Sequence, residues 1–170
     1  EREIKNFGKN GFKTLLKQCY INPNTVFVKQ GAWQKVKFNE DRALSGSEDW
    51  VFFLQLSSVY NWIAFDEVIN SCLIQHDNRS MNTASGETCY ERAMCIMAIL
   101  KNDKVFMQKF SKRQTNNIFS EPIHLASLHY AIEKNKIKSI KCFFEAASLS
   151  FAKIFSRRTL AITKYLLLKW

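Results

Sequence analysis

Ser45-Gly46-Ser47-Glu48-Asp49-Trp50-Val51-Phe52-Phe53-Leu54-Gln55-Leu56 changes character at its middle. Its first five residues are small or acidic, and from Trp50 onward apolar side chains fall on every side of a helical wheel. That distribution marks a helix packed inside a body rather than laid upon it. Ahead of it, residues 37–47, Lys-Phe-Asn-Glu-Asp-Arg-Ala-Leu-Ser-Gly-Ser, read as a polar loop. Ser45-x-x-Glu48 has the spacing of a capping box, with Ser45 accepting from a backbone N–H and Glu48 reaching back to the cap. Asp49 would complement the positive end of the same helix. The two carboxylates beside an aromatic ring could equally serve as a general base near a bound hydroxyl, and spacing alone leaves both readings open.

Working outward, Phe12, Leu15, Leu16 and Cys19 suggest a short helix around 11–19. After the turn Ile21-Asn22-Pro23-Asn24, the β-branched and aromatic run Thr25-Val26-Phe27-Val28 predicts a strand ended by Lys29-Gln30-Gly31. Asn61-Trp62-Ile63-Ala64-Phe65 and Val68 to His76 predict two more strands joined by Asp66-Glu67, followed by the polar turn His76-Asp77-Asn78-Arg79-Ser80. From Thr83 only helical spacing remains. Helices are expected over 87–110, from a first turn containing Pro122 to about Asn135, over 137–147 and over 157–169. The expected fold is α+β and mostly helical, with residues 1–82 holding the strands and residues 83–170 forming an appendage of three or four helices.

Composition limits the function classes. Of the 170 residues, 46% are hydrophobic and 14% aromatic, with 5 Gly and 2 Pro, which excludes collagen-like, linker-dominated and disordered chains. The formal net charge is +10. Lys134 to Trp170 holds nine basic residues against one acid, Glu145, so most of the excess lies in the tail. The longest charge-free stretch, Trp50 to Phe65, is 16 residues long and polar in places, too short for a membrane helix. Five cysteines without a CxxC pair read as buried reduced thiols of a cytosolic protein. The chain opens Glu1-Arg2-Glu3-Ile4, with no Met and no signal-peptide pattern, and reads as a segment of something longer.

Other side chains could carry chemistry. A neutral His76 could ligate a divalent cation, and the Arg79 guanidinium matches phosphate oxygens, though both also suit a solvated turn. Asn24 and Thr25 could present an amide and a hydroxyl to a sugar, and Trp50 or Trp62 could stack on a sugar face, although a turn and a core explain the same residue types. His124 and His129 have no second metal-type partner at suitable spacing.

The order of these pieces along residues 21–82 is more specific than any one of them. Ile-Asn-Pro-Asn-Thr-Val-Phe-Val-Lys, then Lys-Phe-Asn-Glu, Ser-Gly-Ser-Glu-Asp-Trp-Val-Phe-Phe-Leu-Gln-Leu, Trp-Ile-Ala-Phe-Asp-Glu-Val-Ile and Gln-His-Asp-Asn-Arg-Ser-Met together resemble the C-terminal half of family 2 glycosyltransferases of the GT-A fold. The resemblance covers about a third of the chain. It implies that 1–82 is the acceptor-side part of a GT-A α/β domain. It also implies transfer of a sugar from a nucleotide-sugar donor to an acceptor hydroxyl in cell-surface glycan synthesis, usually with inversion. Asp49 would be the catalytic base and Glu48 its support. Trp50, Asn24 and Thr25 would line the acceptor pocket, Arg79 and Ser80 would face the diphosphate, and His76 its cation, Mg or Mn.

One departure is large. No Asp-x-Asp occurs in these 170 residues and there is no Gly-rich phosphate loop, so the donor-binding half, with its main cation ligands, is expected elsewhere and this chain alone is expected to be inactive. The implied partners are the donor, a glycan or lipid-linked acceptor and an anionic membrane surface. The implied location is cytoplasmic, peripheral on the inner face of the membrane. In the tail, Phe151, Phe155, Leu160, Leu166 and Leu168 alternate with Lys153, Arg157, Arg158, Lys164 and Lys169, a basic amphipathic pattern that suits such a surface or a helix packed on the body. The thick apolar stripe and the lack of a recognised motif argue against nucleic acid. The competing function class is a non-catalytic helical interaction or membrane-docking module.

Overall fold

The computed structural model describes residues 15, 16, 28, 30–60 and 84–167. Their helices are α1 (Gln30–Trp33), α2 (Glu48–Val59), α3 (Gly86–Asn102), α4 (Lys104–Lys109), α5 (Lys112–Ile132), α6 (Lys136–Leu149) and α7 (Arg157–Leu167). Short 3-10 segments lie at Arg42–Leu44 and Phe151–Phe155. Of the described residues 80% are helical, and none belongs to a strand or sheet.

This corrects the expected α+β fold: no sheet of a GT-A domain is found among the described residues, and a helical bundle is. The runs read as strands, 25–28 and 61–76, lie outside the described residues except for Val28, which has no regular structure. Gln30 and Gly31, read as the end of a strand, instead open α1. A strand needs a neighbour for its backbone N–H and C=O groups, whereas a helix satisfies most of its own. The described apolar runs take that second course.

α5 is the centre of the bundle and packs against α3, α6 and α7, while α2 lies on α4 and touches α3. One apolar core joins Leu44, Val51, Phe52 and Leu54 to Leu100, Phe106 and Ile118. Residues on the two sides of the expected 82/83 division therefore share a core. A second, smaller cluster of Ala93, Ile123, Tyr130, Cys142 and Ala146 fills the space between α3, α5 and α6.

Helix boundaries depart from expectation where capping chemistry intervenes. The helix expected over 87–110 is two helices, because the Asp103 side chain accepts from the Phe106 N–H at 3.0 Å and starts α4 afresh. Pro122, expected in a first turn, sits buried in the middle of α5. That helix begins earlier, at a capping box in which the Ser111 N–H donates to Gln114 Oε1 at 2.9 Å and the Gln114 N–H donates to Ser111 Oγ.

Close packing uses small residues. A Cβ at Gly86 would lie 2.4 Å from the Tyr130 ring, so only glycine lets the start of α3 approach α5 this closely. Buried Ser127 on α5 and Ser139 on α6 each donate to the other's carbonyl, at 2.8 and 2.9 Å. Lys134, in the turn joining these helices, has φ 63°, a left-handed conformation that favours glycine.

The C-terminal segment is held by buried charge. Glu121 on α5 pairs with Lys153 and, at 2.7 Å, with Arg158. Burial pushes the Glu121 carboxyl up, but Arg158 and Lys153 outweigh it and the net shift is downward. Beside them His124 is almost completely buried, its Nε2 3.1 Å from Thr159 Oγ1. Burial first, then Arg158 and Lys153, lower its pKa to about 4. His124 is neutral at pH 7.

Candidate functional site

The start of α2 is built by a tight sequence of turns. The 3-10 turn Arg42–Leu44 is capped by the Asp41 side chain, which accepts from the Ala43 N–H at 2.9 Å. Gly46 then takes φ 84°, reversing the chain so that Ser47, not Ser45, becomes the N-cap of α2. The capping box read at Ser45-x-x-Glu48 is therefore not formed as drawn. The Ser47 side chain makes no capping bond; Glu48 Oε2 accepts from the Ser47 N–H at 2.8 Å, and Asp49 Oδ1 accepts from the Trp50 N–H at 2.7 Å. Both carboxylates stand in the first turn, at the positive end of the helix, and both are half-buried.

Immediately behind them the environment becomes dry. Trp50 is only 5% exposed, and its Nε1–H donates to the Leu15 carbonyl at 3.0 Å. The ring lies in the core and fixes the position of the helix start. Phe52 stacks on Phe38 with centroids 4.3 Å apart, and Trp33 leans on both at 5.7 Å. Trp33 remains 43% exposed, so this aromatic group presents one ring to solvent on the side of α2 that carries Phe52. Trp33 and Phe38 are not among the residues that the sequence pattern singles out. Their only local signal is two aromatics flanking Gln34-Lys35-Val36-Lys37, of which Val36 is itself buried, and it gives no hint that they converge on Phe52.

The expected constellation is placed only in part. Glu48, Asp49 and Trp50 are together at the head of α2, two half-buried carboxylates and one ring inside. Asn24, Thr25, His76, Arg79 and Ser80 lie outside the described residues. Among the described residues no group of three His, Cys, Asp or Glu side chains could hold a metal ion. They do not supply a ligand set for a divalent cation. Cys89 and Cys142 are buried free thiols, and Cys142 is pushed up to about 11 by burial and then by Glu145. No helix among the described residues is long and apolar enough to cross a membrane. Compared with protein-family models, with curated proteins and with solved structures, the chain matches none.

Proposed function

We propose that the chain carries the acceptor-side residues of a family 2-like glycosyltransferase, which moves a sugar from a nucleotide-sugar donor to an acceptor hydroxyl of a cell-surface glycan. Two things support it: the order of motifs over 21–82, and the position of Glu48 and Asp49. The observation that carries most weight is that this pair heads a helix whose next residues, Trp50 to Leu54, are all buried. A carboxylate on such a footing keeps its place, and both carboxylates are half-buried rather than sealed into the core. Asp49 accepts the hydroxyl proton as that oxygen bonds to the anomeric carbon and the bond to the diphosphate breaks. Glu48 holds the Ser47 N–H and so the geometry of the turn.

A second reading, a non-catalytic helical interaction module, is favoured by the apolar core that described residues on the two sides of residue 82 share. The two separate on one experiment. Nucleoside diphosphate release from a panel of nucleotide sugars is followed in the chain together with the donor-binding half that the resemblance requires, with cell-surface glycan as acceptor. Asp49→Asn is expected to lower turnover by roughly 10²–10⁴-fold, the usual worth of a general base, with an unchanged melting temperature. Full turnover by the variant removes Asp49 from the role, and no release from any donor leaves the module.

A further inference from the structure

At the C-terminal end four large apolar side chains are more than two-thirds exposed: Phe151 69%, Phe155 78%, Leu160 72% and Leu167 75%. The two phenyl rings meet edge to face with centroids 5.6 Å apart and form one apolar plate. On α7, Arg157, Leu160, Lys164 and Leu167 follow one another at spacings of three and four, so they share a single outer stripe, while Ile162 is buried on the other side. Residues 146–170 contain no Asp or Glu. Lys153 and Arg158 are turned inward to Glu121, whereas Arg157 and Lys164 make no ion pair among the described residues.

We propose that these two adjoining exposed surfaces, the Phe151–Phe155 plate and the α7 stripe, dock on an anionic phospholipid surface. Phe151, Phe155, Leu160 and Leu167 enter the boundary of the acyl chains, and Arg157 and Lys164 meet the headgroups. Charge selects this occupant over a second copy of the chain. Face-to-face pairing would bring the same uncompensated cations together, whereas an anionic surface neutralises them. A purely electrostatic polyanion would leave the apolar plate in water. The face uses none of the residues at the head of α2 and stands whether or not sugar transfer does.

The 170-residue chain is tested by flotation with vesicles of phosphatidylcholine, alone or mixed with phosphatidylglycerol. It is expected to float with the mixed vesicles and not with the neutral ones. Arg157→Gln with Lys164→Gln is expected to weaken binding about fivefold for each base removed, from the roughly 1 kcal/mol that one surface cation contributes. Phe151→Ser with Phe155→Ser is expected to weaken it tenfold or more. All four side chains are exposed, so both variants should melt like the parent. No binding to mixed vesicles, equal binding to both lipids, or parental binding by the double Phe variant each overturns the proposal. A dimer that the double Phe variant dissolves, without vesicle binding, assigns the face to a second copy and overturns it too.

Discussion

α2 and α7 are nearly equal in length, 12 and 11 residues, and each carries several large apolar residues, yet they use them in opposite ways. In α2 the run Trp50 to Leu54 is buried against α4, α3 and the aromatics of α1 and the loop after it, while the acidic head and Gln55, Leu56 and Val59 toward the other end are partly exposed. In α7 one residue, Ile162, is buried, while Leu160 and Leu167 point outward beside cations. The difference lies in the neighbours. α2 has partners on several sides, whereas α7 lies on α5 and the Phe151–Phe155 segment and has no further major contact among the described elements.

The most direct way to break this comparison is to remove one ring from each region. Phe52→Ala, in the core, should destabilise by about 3–5 kcal/mol in urea unfolding, while Phe155→Ala should change stability by no more than about 0.5 kcal/mol. Similar losses from both would mean that the outer plate is covered. Next comes the attachment of α7. Glu121→Ala leaves Lys153 and Arg158 without their counter-charge and should cost about 3 kcal/mol, the low end for a buried pair because these groups keep some solvent contact. Loss of vesicle flotation in the same variant would tie the docking face to this anchor.

A pH series probes the same junction. His124 is neutral when folded and has a lowered pKa of about 4, so between the ordinary value of 6.5 and about 4 the unfolded chain binds the extra proton. Stability should therefore fall as pH drops through that window, by about 3 kcal/mol if fully developed, and Glu121 adds to the loss below its ordinary value of 4.5. His124→Gln should flatten the upper part of the profile. A steep profile in that variant would place the sensitivity elsewhere. The smallest expected effect is a control: Lys134→Gly relieves the left-handed turn and should raise stability by about 1 kcal/mol without touching either helix.

Helices after residue 83 were legible because their periodicity is strong. The expected 137–147 is found as Lys136–Leu149, and the expected 157–169 as Arg157–Leu167 within the described residues. Their starts and breaks were less so. Asp103 and Ser111 have ordinary cap signatures, but the apolar spacing runs straight across Asp103, and Pro122, a residue type suited to a first turn, competes with Ser111 as the marker of the helix start. At the site, Glu48 and Asp49 are legible in the sequence as the head of a helix. The chain reversal at Gly46, which moved the cap from Ser45 to Ser47, depends on a backbone dihedral that spacing does not encode. Short β-branched runs suggested a sheet, yet a run of four residues cannot say whether a neighbouring strand exists to receive its hydrogen bonds. Convergence of Trp33 and Phe38 on Phe52 is a tertiary contact and left no local trace.

The reciprocal bonds between Ser127 and Ser139 act as a vernier between α5 and α6. Leu or Ala at both positions could slide by a residue and find another fit. Two hydroxyls, each donating to the opposite backbone, are satisfied in one alignment only, and any slip strands both in a dry interface. The pair thus fixes the longitudinal setting of α6, and through it the place where the chain leaves that helix and turns Phe151 and Phe155 toward the outside.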